Sequence, residues 1–360
     1  MDIEKKIELV KRKPTEEIVT ENDLREIFEN YAHPQHYIGF EISGLVHLGS
    51  GLCTTLKIRD MLEAKCKSII WLADYHAWIN GKLGGDLDQI QKIAKGYFKH
   101  AFVSLGLEED KVEYKLSSEV YDNEYWKEVL AIAKDTTLKR MLRCVTIMGR
   151  KENEGLSSSS IFYPAMQAAD IIKLNVQIAH AGMDQRKVHM LLRDVGHYKF
   201  AALHTHLLPG LVGGERMNPE GMQTGDVDNR IDQQIEVKMS KSKPDSAIFI
   251  HDSEEQIQSK IKKAYCPEKI TEGNPMIEYA EYLILRDKGM KIERPEKFGG
   301  DLEIVDAEEL RKIYSEGKLH PVDLKNAVSR ELSEILKPSR DYFEKHKEYL
   351  EQIKTLSITR

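Results

Sequence analysis

The chain contains the stretch Ser68-Ile69-Ile70-Trp71-Leu72-Ala73-Asp74, whose five central residues are all apolar and which ends in a carboxylate. A strand with one wet face alternates apolar and polar residues, whereas a strand buried on both faces does not. The stretch therefore predicts a central strand of a parallel sheet. Ligands bind such sheets beyond the carboxyl ends of the strands, where Asp74 and the following His76 would lie.

Further candidate strands and helices alternate on both sides of this central strand. Strands are predicted at residues 36–40, 111–116, 176–180 and 200–208, and helices are predicted after a cap at residues 20–23, at residues 44–66, at residues 124–148 and from Pro164. This alternation predicts an α/β fold in which helices cover a parallel sheet.

The pattern changes near residue 250. Residues 211–235 are rich in Gly, Asn, Asp and Gln and have no clear period, so we interpret residues 211–242 as a mobile loop. After a capping box at Ser253, charged helices are predicted at residues 306–314, 321–336 and 339–356. We therefore predict two domains, an α/β domain at residues 1–250 and an α-helical domain at residues 251–360.

Composition narrows the class of protein. The chain has 360 residues, of which 41% are hydrophobic, and a formal net charge of −6. A core of useful size can form, but the negative charge argues against a protein that coats nucleic acid, so any RNA contact must use local patches. The charged N-terminus and the lack of a long apolar run predict a cytoplasmic protein without a signal peptide or a membrane partner.

The cysteines do not suggest a metal centre. They lie apart without a C-x-x-C pair, at Cys53, Cys66, Cys144 and Cys266. This spacing disfavours a zinc site and a disulfide framework. No metal site is predicted on the protein itself.

Two short segments resemble the signature motifs of class I aminoacyl-tRNA synthetases. They are His47-Leu48-Gly49-Ser50 and Lys238-Met239-Ser240-Lys241-Ser242. In that family the two motifs bind one ATP from two sides, and the carboxylate of the amino-acid substrate attacks the α-phosphate of this ATP. The charge that builds up in this step is stabilised by preorganised donors and ammonium groups, so no enzyme nucleophile is needed.

The resemblance implies a set of ATP ligands and catalytic groups. His47, Lys238 and Lys241 would be catalytic, and Mg²⁺ would accompany the nucleotide. The implied ATP-binding residues are Gly39, His47, Gly49, Ser50, His76, Lys238, Met239, Ser240, Lys241 and Ser242.

A helix that begins near Pro164 carries a polar stripe. Tyr163, Gln167 and Asp170 fall at positions i, i+4 and i+7 and therefore share one face. Polar residues at this spacing usually form a solvated face. Here the flanking residues are strongly apolar, so the stripe is predicted to line a polar cavity inside the protein.

Together with Tyr37 and Gln185, this stripe resembles the amino-acid pocket of tyrosyl-tRNA synthetases of the archaeal and eukaryotic type. The resemblance implies that Tyr37 and Asp170 bind the substrate phenol. Tyr163, Gln167 and Gln185 would hold the α-ammonium group. It extends through nearly the whole chain, including residues 182–190, 298–302 and 320–327, and implies a Rossmann-like catalytic domain that joins tyrosine to its tRNA.

The same resemblance implies contacts with tRNA and with a second subunit. Arg143 and Arg186 would contact the first base pair of the acceptor stem. Phe298, His320, Pro321 and Asp323 would meet the anticodon. The helical stretch at residues 124–148 would form part of a homodimer interface. The simpler interpretations are a solvated basic helix face for Arg143, and a cap or a first-turn charge on a helix for Asp323.

Two features depart from the usual family pattern. Ser50 stands where a second histidine is common, which replaces an imidazole donor by a hydroxyl. The polar loop before Lys238 is longer than in many archaeal relatives. Lys241 is present where some of them have serine, which favours a role at the triphosphate.

Three other functions remain open at the level of sequence. A tryptophanyl-tRNA synthetase shares the fold and both motifs, but it has no need for both Tyr37 and Asp170 as partners of a phenol. A small-molecule adenylyltransferase would not need the C-terminal segments, and a non-catalytic tyrosine- or RNA-binding paralogue would not need His47, Lys238 and Lys241.

Overall fold

The computed structural model describes residues 1–149, 156–212, 231, 234–235, 237–239 and 244–354. Ser240, Lys241 and Ser242 of the second motif lie outside the described residues, as does most of the predicted loop at residues 211–242.

Contacts divide the chain into two compact units. Unit 1 comprises Met1–Gly44, Lys57–His206 and Glu348–Arg360, and unit 2 comprises Leu45–Leu56 and Leu207–Lys347. This division is not a single break at residue 250. The assignment of separate tasks to residues 1–250 and 251–360 stays a prediction.

Unit 1 is built on a six-stranded sheet. In chain order its strands are β1 (Thr15–Val19), β2 (Gln35–Glu41), β3 (Lys67–Ala73), β4 (Glu113–Leu116), β5 (Ile178–Gly182) and β6 (Ala201–Thr205). The spatial order is β1-β6-β5-β2-β3-β4, with β1 antiparallel to β6 and every other pair parallel. The predicted α/β fold is confirmed, and the apolar stretch at residues 68–74 supplies the buried strand β3.

The strand order places a binding crevice beside β2. The chain proceeds from β2 to β3 on one side, whereas β5, much later in the chain, pairs with the other side of β2. Ligands bind beyond the carboxyl ends of the strands at such a switch point. Glu41 at the end of β2 and Gly182 at the end of β5 therefore mark the expected position.

Helices follow the strands of unit 1 and are the longest elements of unit 2. In chain order the described α-helices are α1 (Ile3–Lys11), α2 (Glu21–Asn30), α3 (Thr54–Glu63), α4 (Asp74–Ile79), α5 (Leu87–Ile93), α6 (Lys99–Ser104), α7 (Asn123–Lys134), α8 (Leu138–Cys144), α9 (Tyr163–Lys173), α10 (Arg186–Val195), α11 (Glu254–Lys263), α12 (Pro275–Tyr279), α13 (Ala307–Ser315), α14 (Pro321–Lys345) and α15 (Lys347–Lys354). Unit 2 also has a hairpin of β7 (Met290–Ile292) and β8 (Leu302–Ile304).

Apolar side chains cover both faces of the six-stranded sheet. One cluster joins Trp71 and Ala179 to residues of α7, α8, α9 and α10. A second cluster joins Ile178 and Leu203 to residues of α1 and α2. Because neighbouring residues of a strand point to opposite faces, Ile178 and Ala179 belong to different layers. The sheet is therefore buried on both sides, as the pattern of β3 predicts.

Four predicted helices have different limits in the structure. The helix predicted from residue 44 begins as a π-turn at Gly49, because residues 46–48 instead exchange backbone hydrogen bonds with residues 248–250. The stretch predicted as one helix at residues 124–148 breaks before Thr137, whose side chain caps α8. The break predicted between residues 336 and 339 is absent, since α14 continues through Pro338.

No helix among the described residues is both long and apolar enough to cross a membrane. The four cysteines carry free thiols, of which Cys266 alone is partly exposed.

Candidate active site

In unit 1, a buried carboxylate lies at the centre of an aromatic cluster. One oxygen of Asp170, on α9, accepts a hydrogen bond from the Trp71 indole N–H at 3.0 Å, and the other accepts one from the Tyr121 hydroxyl at 2.7 Å. Tyr37, on β2, is buried in the same cluster. The structure thus brings together the two residues predicted to bind a phenol, and it adds two donors.

Burial controls the ionisation of this cluster. It raises the pKa of Asp170 to about 8, although hydrogen bonds from Tyr121 and Trp71 act in the opposite direction. Burial and the nearby charge of Asp170 both raise the pKa of Tyr37. The pair therefore holds one carboxyl that changes charge near neutral pH beside a phenol that stays protonated.

His76, predicted to lie near ATP, contacts the same cluster. Its Nε2 lies 3.8 Å from an oxygen of Asp170, and its ring meets that of Tyr163 edge to face at 4.5 Å. Burial lowers its pKa to about 4, so the imidazole is neutral at physiological pH. Its predicted role at the nucleotide stays a prediction.

A second carboxylate stands at the end of β2. Glu41 accepts hydrogen bonds from the Tyr163 hydroxyl at 3.3 Å and from the Asn80 amide at 2.6 Å, and it lies 3.5 Å from the Lys82 ammonium group. Burial of Tyr163 beside this carboxylate raises the pKa of its phenol. Tyr163 is therefore a neutral hydroxyl fixed against a negative charge.

The two predicted glutamines form one chain of hydrogen bonds. The Gln167 amide donates to the Gln185 side-chain oxygen at 3.2 Å, and the Gln185 amide donates to the Ile147 carbonyl at 3.1 Å. Gln167 lies on α9, which begins at Tyr163, and Gln185 directly precedes α10. This contact therefore joins α9 to the start of α10.

Gly39 leaves no room for a side chain. A Cβ at this position would lie 2.6 Å from the Tyr37 hydroxyl and 3.5 Å from the Trp71 ring. A glycine here lets the Tyr37 ring lie flat along its own strand, two residues before the crevice.

In unit 2, the first motif forms a compact turn. The Nδ1 atom of His47 accepts the backbone N–H of Gly49 at 3.2 Å and that of Ser50 at 3.4 Å, and the Ser50 hydroxyl accepts the His47 N–H at 3.3 Å. A ring nitrogen that accepts hydrogen bonds carries no proton, so the neutral imidazole carries its proton on Nε2. His47 is thus oriented as a donor through Nε2.

The start of the second motif attaches to the same part of unit 2. The backbone of Lys238 forms an isolated antiparallel β-bridge with that of Pro209, and the Met239 N–H donates to the Leu208 carbonyl at 2.8 Å. A Cβ on Gly49 would lie 3.9 Å from the Leu208 side chain. Leu208 is therefore hydrogen-bonded to the second motif and lies close to Gly49 of the first motif.

The two arginines predicted to contact tRNA differ in their surroundings. Arg143 is exposed on α8. Arg186 instead donates from Nε to both oxygens of Glu17, at 3.0 and 2.8 Å. Burial opposes ionisation of Glu17, but hydrogen bonds from His204 and Arg186 outweigh it and lower the pKa to about 2. Arg186 is thus part of an internal ion pair.

The residues predicted to meet the anticodon lie in unit 2. Phe298 is 61% exposed in a turn, with the Lys297 ammonium 4.9 Å from its ring centre. The His320 side chain accepts the Val322 N–H at 3.2 Å and caps α14, whose first turn contains Pro321 and Asp323. His320 therefore occupies the N-cap position of α14, and Asp323 is not the capping residue.

Comparison with known proteins identifies the family. The profile of the family tRNA synthetases class I (W and Y) matches residues 29–337. A tyrosine–tRNA ligase of Thermococcus kodakarensis is 49% identical over 380 residues, covering 100% of both proteins. The chain belongs to the tyrosyl-tRNA synthetases. The crystal structure of the tyrosyl-tRNA synthetase from Pyrococcus horikoshii, complexed with L-tyrosine, has a TM-score of 0.92 at 45% identity and covers 99% of this chain and 100% of that one.

Membership of the tyrosyl-tRNA synthetases confirms the resemblance and the Rossmann-like fold predicted from the sequence. The tryptophanyl-tRNA synthetase of Aeropyrum pernix has a TM-score of 0.67 at 19% identity over 94% of this chain and 86% of that chain, which is a likeness of fold alone. The roles of individual side chains stay predictions.

Three residues of this site are missing from the sequence-based prediction. Trp71 is an unbroken part of an apolar strand, so the sequence favours a role in the core, and nothing marks its N–H as a donor to Asp170. Tyr121 lies outside any motif quoted above. Glu41 was detectable, because it ends a predicted strand at the edge where ligands bind.

Proposed function

We propose that the protein activates L-tyrosine with ATP, giving tyrosyl-adenylate and pyrophosphate, and then transfers the tyrosyl group to the terminal ribose of a tyrosine tRNA. The observation that carries this proposal is the buried Asp170 carboxyl beside Tyr37, in a chain that matches a tyrosine–tRNA ligase along its whole length. A buried carboxyl that ionises near neutral pH is an acceptor suited to a phenolic hydroxyl.

Hydrogen bonding of the substrate hydroxyl by Asp170 and Tyr37 would account for the preference for tyrosine over phenylalanine. A site built to bond a hydroxyl rejects the analogue that lacks it, because its own buried polar groups are then left without partners, and tyrosyl-tRNA synthetases are the reference case for this rule. Phenylalanine would leave the Tyr37 hydroxyl and the remaining lone pairs of Asp170 in that condition. Tyrosine satisfies both.

The opposite end of the substrate is assigned to the polar groups near Glu41. Tyr163, Gln167 and Gln185 offer oxygens to an α-ammonium group, and the Glu41 carboxylate adds a negative charge beside Tyr163. A cation is favoured there by its charge and by its three N–H donors. Binding at both ends would hold the substrate carboxylate in one orientation for attack on ATP.

The motifs of unit 2 are assigned to the triphosphate. His47, with its proton on Nε2, would donate to a phosphate oxygen, and Gly49 and Ser50 would lie beside the nucleotide. Lys238 and Lys241 would place ammonium groups against the charge that develops as the carboxylate attacks the α-phosphate. Gly39, His76, Met239, Ser240 and Ser242 complete the proposed ATP ligands.

Mg²⁺ is proposed to accompany ATP, since this ion keeps water ligands and is held largely by substrate phosphates. No group of three or more His, Cys, Asp or Glu side chains in the part of the chain described by the structure could hold a metal ion. The activity is proposed to occur in the cytoplasm, where tRNA and ATP are available.

Pyrophosphate–ATP exchange with each of the twenty amino acids tests the activation step. Exchange is expected with tyrosine and not with phenylalanine or tryptophan. Asp170→Ala should sharply weaken the use of tyrosine, whereas Tyr37→Phe should cost about 0.5–1.5 kcal/mol, the value of one neutral hydrogen bond. Exchange that depends on tryptophan, or that survives Asp170→Ala unchanged, would refute the assignment.

A homodimer is proposed to form through the surface of α7 and the start of α8. Trp126 and Leu130 share one face of α7 and are 40% and 60% exposed, and Leu138 on α8 is 61% exposed. Such grouped apolar side chains are typical of an interface. Leu130→Glu should give a monomer in sedimentation, whereas Val305→Glu, at an equally exposed apolar residue of unit 2, should not. A dimer that survives Leu130→Glu would place the interface elsewhere.

A further inference from the structure

We propose that Trp71 and Tyr121 are positioning residues which hold both oxygens of Asp170 as acceptors for the substrate phenol and thereby set the preference for tyrosine over phenylalanine. This inference rests on the proposed function and extends it to two residues without an assigned role.

Each oxygen of Asp170 accepts one short side-chain hydrogen bond, and the Tyr125 hydroxyl nearby also acts to lower the pKa of this carboxyl. The Trp71 indole N–H reaches Oδ2 at 3.0 Å, and the Tyr121 hydroxyl reaches Oδ1 at 2.7 Å. A carboxylate oxygen has two lone pairs, so each retains one for a further donor. An indole N–H can only donate, and this fixes Oδ2 as an acceptor.

Both donors are themselves held in place. Trp71 is fully buried on β3, where it pairs with Gly39 of β2. The Tyr121 ring stacks on Tyr125 at 3.6 Å with an interplanar angle of 10°, and Tyr125 donates to the Met166 carbonyl at 3.1 Å. A donor whose ring is fixed by packing loses little freedom when it bonds the carboxylate.

The charges around Asp170 make these donors necessary. The titratable groups that face it are Tyr37, Asp74, His76, Tyr121, Tyr125 and Tyr163. Burial keeps the pKa of each of these tyrosines well above its usual value and lowers the pKa of His76 to about 4. All five side chains are therefore neutral near pH 7, and none offers Asp170 a positive charge. Asp74 opposes ionisation of Asp170. Only hydrogen-bond donors are left to stabilise the carboxylate.

Loss of a donor should therefore change what Asp170 does. Without the Tyr121 hydroxyl the carboxyl would ionise only at higher pH, and its orientation would no longer be fixed. A protonated, mobile carboxyl selects less strongly for a hydroxyl, because it can satisfy itself with other neighbours.

The test compares Tyr121→Phe and Trp71→Phe with the unaltered protein and with Tyr198→Phe. The control removes a tyrosine hydroxyl that bonds Asn175 at 2.9 Å, away from Asp170. Pyrophosphate exchange is measured from pH 6 to 9.5 as kcat/KM for tyrosine, together with the inhibition constant of phenylalanine. Thermal unfolding verifies that each variant is folded.

The expected result for Tyr121→Phe is a loss of roughly tenfold in kcat/KM for tyrosine at pH 7, the effect of one hydrogen bond to a charged group. The acidic limb of its pH profile should move to higher pH, and phenylalanine inhibition should change by less than about twofold. On an Asp170→Asn background the same substitution should have a much smaller effect, because it acts through that carboxylate. Tyr198→Phe should change none of these quantities.

The inference fails if the limb stays in place, or if tyrosine and phenylalanine weaken equally in both variants. It also fails if Tyr121→Phe has the same effect on the Asp170→Asn background. Failure of the unaltered protein to exchange pyrophosphate with tyrosine would instead refute the proposed function, so the two failures are distinguishable.

Discussion

Among single residues, Asp170 combines a proposed role in tyrosine binding with a cost in stability. The pKa of its buried carboxyl rises from an ordinary value of 3.8 to about 8. The folded protein therefore holds a proton that the unfolded chain releases above about pH 4. The contribution of Asp170 to the free energy of unfolding is greatest below pH 3.8. It falls as the pH rises above 3.8 and is lost once the pH passes about 8.

Replacement by an uncharged isostere should remove this loss. In Asp170→Asn the amide oxygen can accept the Trp71 N–H, and the Tyr121 hydroxyl can rotate to accept from the amide NH₂. We expect the variant to unfold at a higher temperature than the native protein at pH 8, by the equivalent of a few kcal/mol or less, with the difference shrinking toward pH 4. Calorimetry across this pH range measures it. A difference that grows as the pH falls would show that Asp170 is not held as a neutral acid.

Gly39 offers a second test at the same scale. In Gly39→Ala the new methyl group would lie 2.6 Å from the Tyr37 hydroxyl, so that hydroxyl must move. The backbone there is an ordinary strand, so folding should persist. We expect KM for tyrosine to rise roughly tenfold, as expected for misplacing a specific contact, with a smaller change in kcat.

The control for Gly39→Ala is the same substitution in a Tyr37→Phe background. There the nearest ring atom lies 3.2 Å from the methyl group, a contact that a small shift relieves. The additional rise in KM should therefore be smaller. An equal rise in both backgrounds would mean that the methyl group acts on something other than the Tyr37 hydroxyl.

Helical spacing predicted part of the site because it acts over one turn. Tyr163, Gln167 and Asp170 could be placed on one face from the sequence, since the helix repeat fixes their directions. The contacts from Trp71 and Tyr121 could not be predicted, because they join segments 99 and 49 positions away from Asp170. Tertiary packing alone brings those donors to the carboxylate.

Among the secondary-structure elements, helix starts that carry a side-chain cap were predicted from local sequence. Thr20 and Ser253 cap α2 and α11 with reciprocal capping boxes, as their sequences indicate. The first motif could not be recognised as a non-helical entry, because residues 46–48 pair with residues 248–250, two hundred positions later. The edge strand β1 was also missed, since its short, charged sequence has no clear alternation.

The terminal helix α15 shows how a distant segment can complete a unit. It packs within unit 1, where the Gln352 side chain accepts the Tyr97 N–H at 3.2 Å and Tyr349 stacks on His100 at 3.8 Å. Gly96 makes room for it, since a Cβ there would lie 2.0 Å from the Gln352 side-chain oxygen. Such a separation is impossible, so Gly96→Ala must displace Gln352.

We therefore expect Gly96→Ala to lower the thermal midpoint of unfolding through loss of the α15 contact. Gln352→Ala alone should cost about 0.5–1.5 kcal/mol, the value of one hydrogen bond. With Gln352→Ala already present, Gly96→Ala should cost clearly less than it does alone, because the colliding atoms are gone. Chemical denaturation of the four proteins measures the coupling. Strict additivity would show that the helix is not held at this point.

At the level of the whole molecule, chain order conceals which segments work together. Residues 45–56 lie between two strands of unit 1, yet they pack with unit 2. His47 and Lys238 consequently belong to one unit, although the sequence suggests only that both bind ATP. The sequence could predict the family and the order of elements, but this grouping depends on contacts between segments far apart in the chain.

The proposed division of labour gives a test that no single site could. Tyrosine activation is assigned to the pocket of unit 1 with the motifs of unit 2, whereas anticodon recognition is assigned to Phe298, His320, Pro321 and Asp323. Proteins read unpaired RNA bases by stacking them on aromatic or imidazole rings and by hydrogen-bonding their edges. The exposed Phe298 ring and the carboxylate near the capped start of α14 fit this chemistry.

Asp323→Ala should leave tyrosine-dependent pyrophosphate exchange unchanged and reduce charging of tRNA by about five- to hundredfold, the effect of one specific base contact of roughly 1–3 kcal/mol. The deficit should shrink on transcripts whose first anticodon base is already altered, because the lost contact is then absent in both proteins.

Glu308→Ala is the matched control, since it removes an exposed acidic residue from the first turn of α13 in the same unit. Both substitutions remove a favourable helix-end charge of roughly 0.3–1 kcal/mol, so equal small losses in thermal stability are expected. If Glu308→Ala lowers charging as much as Asp323→Ala, or if exchange falls together with charging, then Asp323 acts only as a first-turn charge and the anticodon assignment must be withdrawn.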